Sequence, residues 1–338
     1  MKNAHRFLCP ECGPGASERQ EEILTQIDKW VSSDAMGELT EAFGGKIPSG
    51  NLKEKITRIN EFAEVWDYRK KAAGAERWEL TEDPELTEKK DLIMDCVSRL
   101  GLVSITEPAA SPDYIVPLGG ARRSNYARPL KAREVIDGLG IRGKNVVGLS
   151  SLRPINDIER PFIDAYATGA KNEYEAMCAG IAKAFGFVNE EASKDVCNHE
   201  NMSRQRLFTE DFHSHENVNL RWAVTEFNEA YAGTRLSVLA APSSDPGRRA
   251  NSRDTFEFLL EKMSIKPGDR LLLVTSCIYV PFQLLRFMDL AVERGFYVDC
   301  IGMENNDRTG TAFSHLANYC QETKAAVNAA KALVDRWV

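Results

Sequence analysis

The sequence predicts an α/β protein: a parallel sheet with helices on both faces, joined to an N-terminal helical region. Three observations predict it. From residue 113 onward, short apolar runs alternate with amphipathic stretches of helical length, the βα pattern. The run "LLLVTS" at 271–276 is apolar almost without a break, as a central parallel strand covered on both faces requires. Before residue 100 the apolar residues recur every three or four positions.

The elements follow in order. Ile23, Ile27 and Trp30 fall on one helix face. Ile56, Ile59, Phe62 and Trp66 form a second such face, and Leu92, Ile93, Cys96 and Leu100 a third, which closes at Gly101 as a C-cap. The segment "ITEPAASP" at 105–112 is a linker by composition. A strand over Tyr114–Leu118 ends at Gly119-Gly120, and the next helix is expected from Pro129, a residue suited to a first turn. Strands are then expected at 145–151, 234–242, 268–277 and 296–302. Helices are expected at 172–188, 252–263 with Ser252 as N-cap, and 281–295, and a long C-terminal helical segment follows. This divides the chain into a helical region 1–110, an α/β domain 111–305 carrying an insert at about 190–233, and a C-terminal helical segment 306–338.

Composition narrows the function. The 338 residues are 43% hydrophobic with a formal net charge of −7, enough for a large core and a poor match to a nucleic-acid binder. The charge is uneven. Residues 1–110 hold 15 basic against 21 acidic side chains, whereas 115–160 holds 9 against 4. No apolar run reaches the length of a membrane span, and the N-terminus lacks the apolar stretch of a signal peptide. Eight cysteines scattered through apolar segments suit free thiols in a reducing compartment. The expectation is a cytoplasmic protein with no membrane span and no nucleic-acid partner.

In an open parallel sheet, ligands bind beyond the carboxyl ends of the strands. Four loops are expected there: "GGARRSN", "SSLRP", "PSSDPGRRANS" and "TSCIYVP", all rich in small, hydroxyl or arginine residues. Gly119 and Gly120 allow a tight turn and a close approach to a ligand, and Arg122, Arg123 and Arg128 supply fork-shaped donors for phosphate or carboxylate. Neither the dinucleotide G-x-G-x-x-G fingerprint nor a P-loop is present, so an exposed basic turn and an anion site both stand open. At the helix start near 252, Ser252, Arg253 and Thr255, crowded by Arg248 and Arg249, point to an anion site by helix dipole and guanidinium together, with an ordinary capped helix and solvated arginines as the alternative. Thr275 and Ser276 are candidate hydrogen-bonding groups, Tyr279 or Phe282 candidate stacking partners, and Cys277 reads as a structural thiol. Cys9 and Cys12, with Cys197, His199, His213 and His215, lack the spacing of a zinc site, so no metal is expected.

Three of these segments together resemble the YdcF/SanA/ElyC-like family of bacterial α/β domains. Leu118-Gly119-Gly120 with Arg122 resembles its opening glycine motif. "SRDTFEF" at 252–258 resembles its helix-opening element, and Val274-Thr275-Ser276 its strand ending. Glu175, Ala176 and Met177 resemble a further helix motif. The chain departs from the family at Tyr279, where His is usual, at Phe282, where Arg is usual, at Asp254 for Asn and at Ala121 for a third glycine. The resemblance implies a Rossmann-like domain that binds a nucleotide or S-adenosylmethionine, with no reaction assigned.

The expected function is therefore binding of a small anionic, nucleotide-like molecule at the C-terminal edge of the sheet. Its ligand set is Gly119, Gly120, Arg122, Arg123, Glu175, Ser252, Arg253, Thr255, Thr275, Ser276 and Tyr279. Asp245, Asp254 and Glu175 are the candidate acids or bases should there be catalysis. The alternative is a non-catalytic interaction protein whose partner surface is the acidic helical region 14–100.

Overall fold

The structure is a computed structural model. It describes residues 4–12, 15–47, 49–71, 83–140, 144–187, 204–207, 217–227, 230–303 and 315–338. Its helices and strands in chain order are α1 (Ala16–Val31), α2 (Asp34–Ala42), α3 (Leu52–Phe62), α4 (Tyr68–Lys71), α5 (Pro84–Glu88), α6 (Lys90–Arg99), β1 (Tyr114–Pro117), α7 (Ser124–Leu139), β2 (Asn145–Ser150), α8 (Arg160–Ile163) and α9 (Glu173–Phe185). There follow β3 (Arg204–Leu207), β4 (Ala223–Phe227), β5 (Arg235–Ala240), α10 (Ser252–Lys262), β6 (Arg270–Ser276), α11 (Val280–Arg294), β7 (Tyr297–Met303) and α12 (Leu316–Trp337). The architecture is α/β, with a mixed, mostly parallel central sheet flanked by helices on both faces and a helical N-terminal region.

These elements form two compact units that are not successive stretches of sequence. One holds the helical region up to Thr106 together with α11, β7 and α12, and the other holds residues 107–276.

In the first unit the first two predicted faces are buried, apart from Phe62, which is half-buried. Ile23, Ile27, Trp30, Ile56, Ile59 and Trp66 are all 0–1% exposed. The third face is rotated from expectation. Ile93, Cys96, Val97 and Leu100 point inward, while Leu92 is 41% exposed, because the spacing 93-96-97-100 is the one that keeps a single stripe. Gly101 lies one residue past the C-cap Leu100, in the left-handed conformation at φ +90°. Asn51 and Glu54 close a reciprocal capping box on α3. Arg19 departs most from the amphipathic pattern. It is 2% exposed, and its guanidinium donates to the carbonyls of Ala291 and Phe296 and to Cys9 Sγ. Arg6 binds both oxygens of the buried Asp299, and Lys324 pairs with Asp67 and Glu64.

In the second unit the strand order is β3-β4-β5-β2-β1-β6. Strands β5, β2, β1 and β6 are parallel, in register Val146↔Leu236, Ile115↔Val146 and Ile115↔Leu272. Strands β3 and β4 run antiparallel beyond β5. The stretch expected to be an insert therefore contributes two strands to the sheet. The segment "RQRL" carries no apolar alternation, so its pairing with β4 is invisible to pattern reading. Helix α7 packs on β1, β2 and β6, and α9 on β2 and β5, with the two helices against each other. Helix α7 starts at Ser124, five residues before the expected start, and Pro129 lies inside it. Burial of Asn125, Ala127 and Arg128 draws these residues into the helix ahead of the proline.

Candidate functional site

The chain steps from β1 to β2 to β5 in one direction and then places β6 on the far side of β1. The order reverses between β1 and β6. Beyond the carboxyl ends at such a reversal, the loops diverge and leave a crevice for ligands. Three strand ends of the second unit meet here: Leu118 to Arg123 after β1, Ser150 to Arg153 at and after the end of β2, and Thr275 and Ser276 on β6.

The β1–α7 loop is held from several sides. Gly119 N–H donates to Leu149 O, and Gly120 N–H to Asn125 Oδ1 at 3.0 Å. Arg128, 4% exposed, donates through Nη1 to the carbonyls of Leu118 at 2.7 Å and Gly119 at 2.6 Å, and through Nη2 to Ser276 Oγ at 3.4 Å. Neither glycine has a positive φ. Gly119 is required because a Cβ there would stand 2.7 Å from Leu149 O and 3.0 Å from Ser150 Cα, so the ends of β1 and β2 approach too closely for any side chain. The left-handed residue of the loop is Arg122, at φ +54°. Tyr166 stabilises it by donating its hydroxyl to Arg122 O at 2.8 Å, and the Arg122 guanidinium lies 4.5 Å from the centre of the Phe162 ring. Burial pushes the Arg122 guanidinium below its ordinary value, against the opposing pull of Glu159. Burial also raises the Tyr166 phenol, which stays protonated and able to donate.

The three arginines of the opening stretch thus have three different roles. Arg128 braces carbonyls, Arg122 stacks on Phe162, and Arg123 forms no side-chain hydrogen bond or ion pair among the described residues. Arg123 is the N-cap residue of α7, whose 16 residues direct the positive end of the helix dipole at the same place. Ser150 and Thr275 stand at the ends of β2 and β6, 7% and 0% exposed, with hydroxyls that have no hydrogen-bond partner among the described residues. Ser150 Oγ is 3.3 Å from the position a Gly119 Cβ would take.

Sequence reasoning missed the acid here. Glu173, two residues before the predicted Glu175, turns back to the end of β2. It accepts from Ser151 Oγ and from Arg153 Nη2 at 2.7 Å. Arg153 also pairs at 2.6 Å with Glu159, whose side chain is 0% exposed. Burial works against the charge on Arg153, and the hydrogen bonds it donates to both carboxylates outweigh that and raise its pKa. Glu175 instead closes its own helix start, accepting from Lys171 N and Asn172 Nδ2. The only sequence signal for the pair was Arg153 in "SSLRP" facing an acidic helix start.

At the start of α10, where an anion site is expected, the structure shows a capped helix end. The N-cap is Asn251, not Ser252, and Asn251 and Asp254 form a capping box. The Asp254 carboxylate takes hydrogen bonds from Asn251 N and Arg248 Nη1, filling with the chain's own charge the place an anion would occupy. Arg253 pairs outward with Glu257, both about two-fifths exposed, and Thr255 Oγ1 donates back to Asn251 O. Tyr279 belongs to the other unit, in the short turn Cys277–Tyr279. Cys197, His199, His213 and His215 lie outside the described residues. Among the described residues no group of three or more His, Cys, Asp or Glu side chains is placed to hold a metal. No helix among them is long and apolar enough to cross a membrane.

Residues 14–101 match a family model described as the Rv3785 N-terminal domain. Across 356 aligned residues the chain is 28% identical to uncharacterized protein Mb3814 of Mycobacterium bovis, covering 98% of this chain and 95% of the relative. It is equally similar, over the same shares, to uncharacterized proteins MT3893 and Rv3785 of Mycobacterium tuberculosis. The likeness runs through the helical region and the sheet alike. No solved structure matches the chain.

Proposed function

We propose that the second unit binds a small anionic, nucleotide-like molecule at the carboxyl ends of β1, β2 and β6. The observation that carries this reading is Arg123. A guanidinium with no side-chain hydrogen bond or ion pair among the described residues, at the N-cap of a long helix, suits an anion, and at the same strand-order reversal Ser150 and Thr275 carry buried hydroxyls that are likewise unpaired among the described residues. The resemblance to YdcF/SanA/ElyC-like domains agrees with it and adds S-adenosylmethionine to the nucleotides as a ligand to try. Ser276 and the Gly120 backbone line the same edge.

The test is a thermal-shift and calorimetry series with inorganic phosphate, pyrophosphate, nucleotides and S-adenosylmethionine. A ligand at about a hundred times its Kd stabilises by roughly 2.7 kcal/mol and raises the melting temperature. Arg123→Ala is expected to weaken binding about tenfold or more while leaving the melting temperature of the free protein unchanged, because its guanidinium forms no hydrogen bond or ion pair among the described residues. Absence of any shift across the series would overturn the reading.

The acidic balance of residues 1–110, 15 basic against 21 acidic side chains, supports a second reading, in which the helical region is a protein-binding surface. Its test is charge reversal at the exposed Glu21, Glu22 and Glu61, read as loss of partner recovery from the native source.

A further inference from the structure

In the first unit, Cys9 and Cys12 form the sequence "CPEC", the C-x-x-C spacing at which two thiols close a small disulfide ring. The two ends of the motif differ in exposure. Cys9 is 2% exposed and Pro10 is buried, whereas Glu11 is exposed and Cys12 is half-buried. The chain ahead of Cys9 is anchored. Phe7 packs on Trp30 with ring centres 5.5 Å apart, and the Leu8 backbone exchanges two hydrogen bonds with the Gln26 amide, at 2.8 and 2.9 Å. Cys12 lies on a bend that follows this anchored stretch. Cys96, Cys178, Cys277, Cys300 and Cys320 are all buried, so Cys12 is the accessible thiol among the described cysteines.

The Cys9 sulfur faces a fixed cation. Arg19 Nη2 donates to Cys9 Sγ at 3.2 Å, and the Val298 backbone hydrogen-bonds the same sulfur. Arg19 is itself 2% exposed and also donates to Ala291 O at 3.1 Å and Phe296 O at 2.7 Å, which holds the guanidinium in place. Burial raises the Cys9 thiol and outweighs these hydrogen bonds, so at neutral pH Cys9 rests protonated and inert. Cys12 also acts electrostatically on Cys9, as two neighbouring sulfurs do. Among the described residues no third His, Cys, Asp or Glu completes a metal site with them.

We propose that Cys9 and Cys12 are a reversible redox pair, closed to an intrachain disulfide by low-molecular-weight disulfides and reopened by thiols. Cys12 gives up its proton and its thiolate attacks one sulfur of the small disulfide. A bond forms between Cys12 and that sulfur, the small disulfide's own bond breaks, and the departing thiolate takes up a proton. Cys9 then loses its proton and attacks the Cys12 sulfur, forming the Cys9–Cys12 bond and expelling the second small thiol. The cysteines lose two hydrogens, and the small disulfide is reduced to two thiols. In the reverse direction a thiolate attacks the accessible Cys12 sulfur and Cys9 leaves as a thiolate facing Arg19, which pairs its charge until a proton returns. A stabilised leaving sulfur keeps the bond easy to reduce, the property of a regulatory disulfide in a reducing compartment.

The experiment treats the native full chain with glutathione disulfide, quenches it in acid, alkylates it under denaturing conditions and weighs the tryptic peptide 7–19. That peptide holds these two cysteines and no other. The expected product is the unalkylated peptide lighter by two hydrogens, returned to the doubly alkylated form when dithiothreitol precedes the quench. Cys9→Ser removes the resolving thiol and is expected to trap Cys12 as its glutathione adduct, about tenfold or more above the level in the unaltered protein. Cys12→Ser is expected to leave Cys9 unmodified over the same time, because the remaining thiol is buried. Double alkylation that persists in the treated, unaltered protein would overturn the proposal. So would a glutathione adduct that accumulates there in place of the ring, or a zinc ion that co-purifies and shields both thiols. Equal adduct levels in Cys9→Ser and the unaltered protein would rule out Cys9 as the resolving thiol. The peptide measured from the unaltered protein decides the matter even where a variant does not fold.

Discussion

Asp254 and His5 are two side chains whose protonation is coupled to folding, and each sets a pH window. Burial works to raise the Asp254 carboxyl, but hydrogen bonds from Arg248, Ser244 and Asn251 outweigh it and hold it at about 2, below its ordinary 3.8. The folded state therefore binds the proton less tightly than the unfolded chain. Its contribution to stability is complete above about 3.8 and is lost as the pH falls through about 2. His5 is lowered from 6.5 to about 4, chiefly by burial and then by Lys29, so stability falls between those two values as the unfolded chain takes up a proton that the folded one resists. We expect denaturant unfolding to show a decline from pH 6.5 to 4 that His5→Phe flattens, and a steeper acid loss below pH 4 that Asp254→Asn flattens at the cost of lower stability at pH 7. Identical pH profiles for the variants and the parent protein would refute both assignments. Both residues are plain in the sequence, but nothing local to them sets their burial. The same holds for the arginines of "GGARRSN", identical in type yet committed to stacking at Arg122 and unpaired among the described residues at Arg123.

Helix packing explains glycines that the sequence cannot rank. Gly180 lies mid-way along α9, where a Cβ would stand 1.9 Å from Asn125 O in α7, so the two helices approach backbone to backbone. Gly138, near the end of α7, has nothing within 4 Å of the same position. Gly180→Ala should therefore destabilise by about 1–3 kcal/mol through overpacking. Gly138→Ala should stabilise by roughly 0.5–1 kcal/mol through lower chain entropy and better helix propensity. Thermal unfolding of the two variants gives opposite signs on this account, and equal shifts would refute it. The strands and helices of the βα repeat were legible because each has the apolar period its geometry demands, with ends within a few residues of those observed. The exceptions have physical causes. Helix α7 extends ahead of Pro129 because tertiary burial captures Asn125 and Arg128, and the pairing of β3 with β4 is set by a neighbouring strand rather than by any pattern of its own.

The order of elements in the chain is not the order of the units. The helical region shares its core with α11, β7 and α12, some two hundred residues later. Arg19 shows the connection, spending its donors on Ala291 and Phe296. Deleting residues 1–106 is therefore expected to expose apolar faces of α11 and α12 and to abolish soluble, cooperatively folding protein, as judged by circular dichroism and thermal unfolding. A truncated chain that melts cooperatively would contradict this. For the same reason such a deletion is a poor test of a partner surface, and substitutions at exposed glutamates are the informative ones.

Local pattern was enough to establish the α/β class, the place of each parallel strand, and the carboxyl-end loops as the region for a site, because strand and helix periods are properties of neighbouring residues. Which side chains in those loops are available to a ligand was decided only in three dimensions. Asp254 occupies the helix start that Arg253 was expected to serve, Glu175 caps its own helix, and Glu173 turns to β2. Each of these outcomes depends on a partner far away in the chain or on the direction a side chain takes from its helix turn. Hydrogen-bond partners are fixed by where the folded backbone brings them, and composition carries no record of that distance.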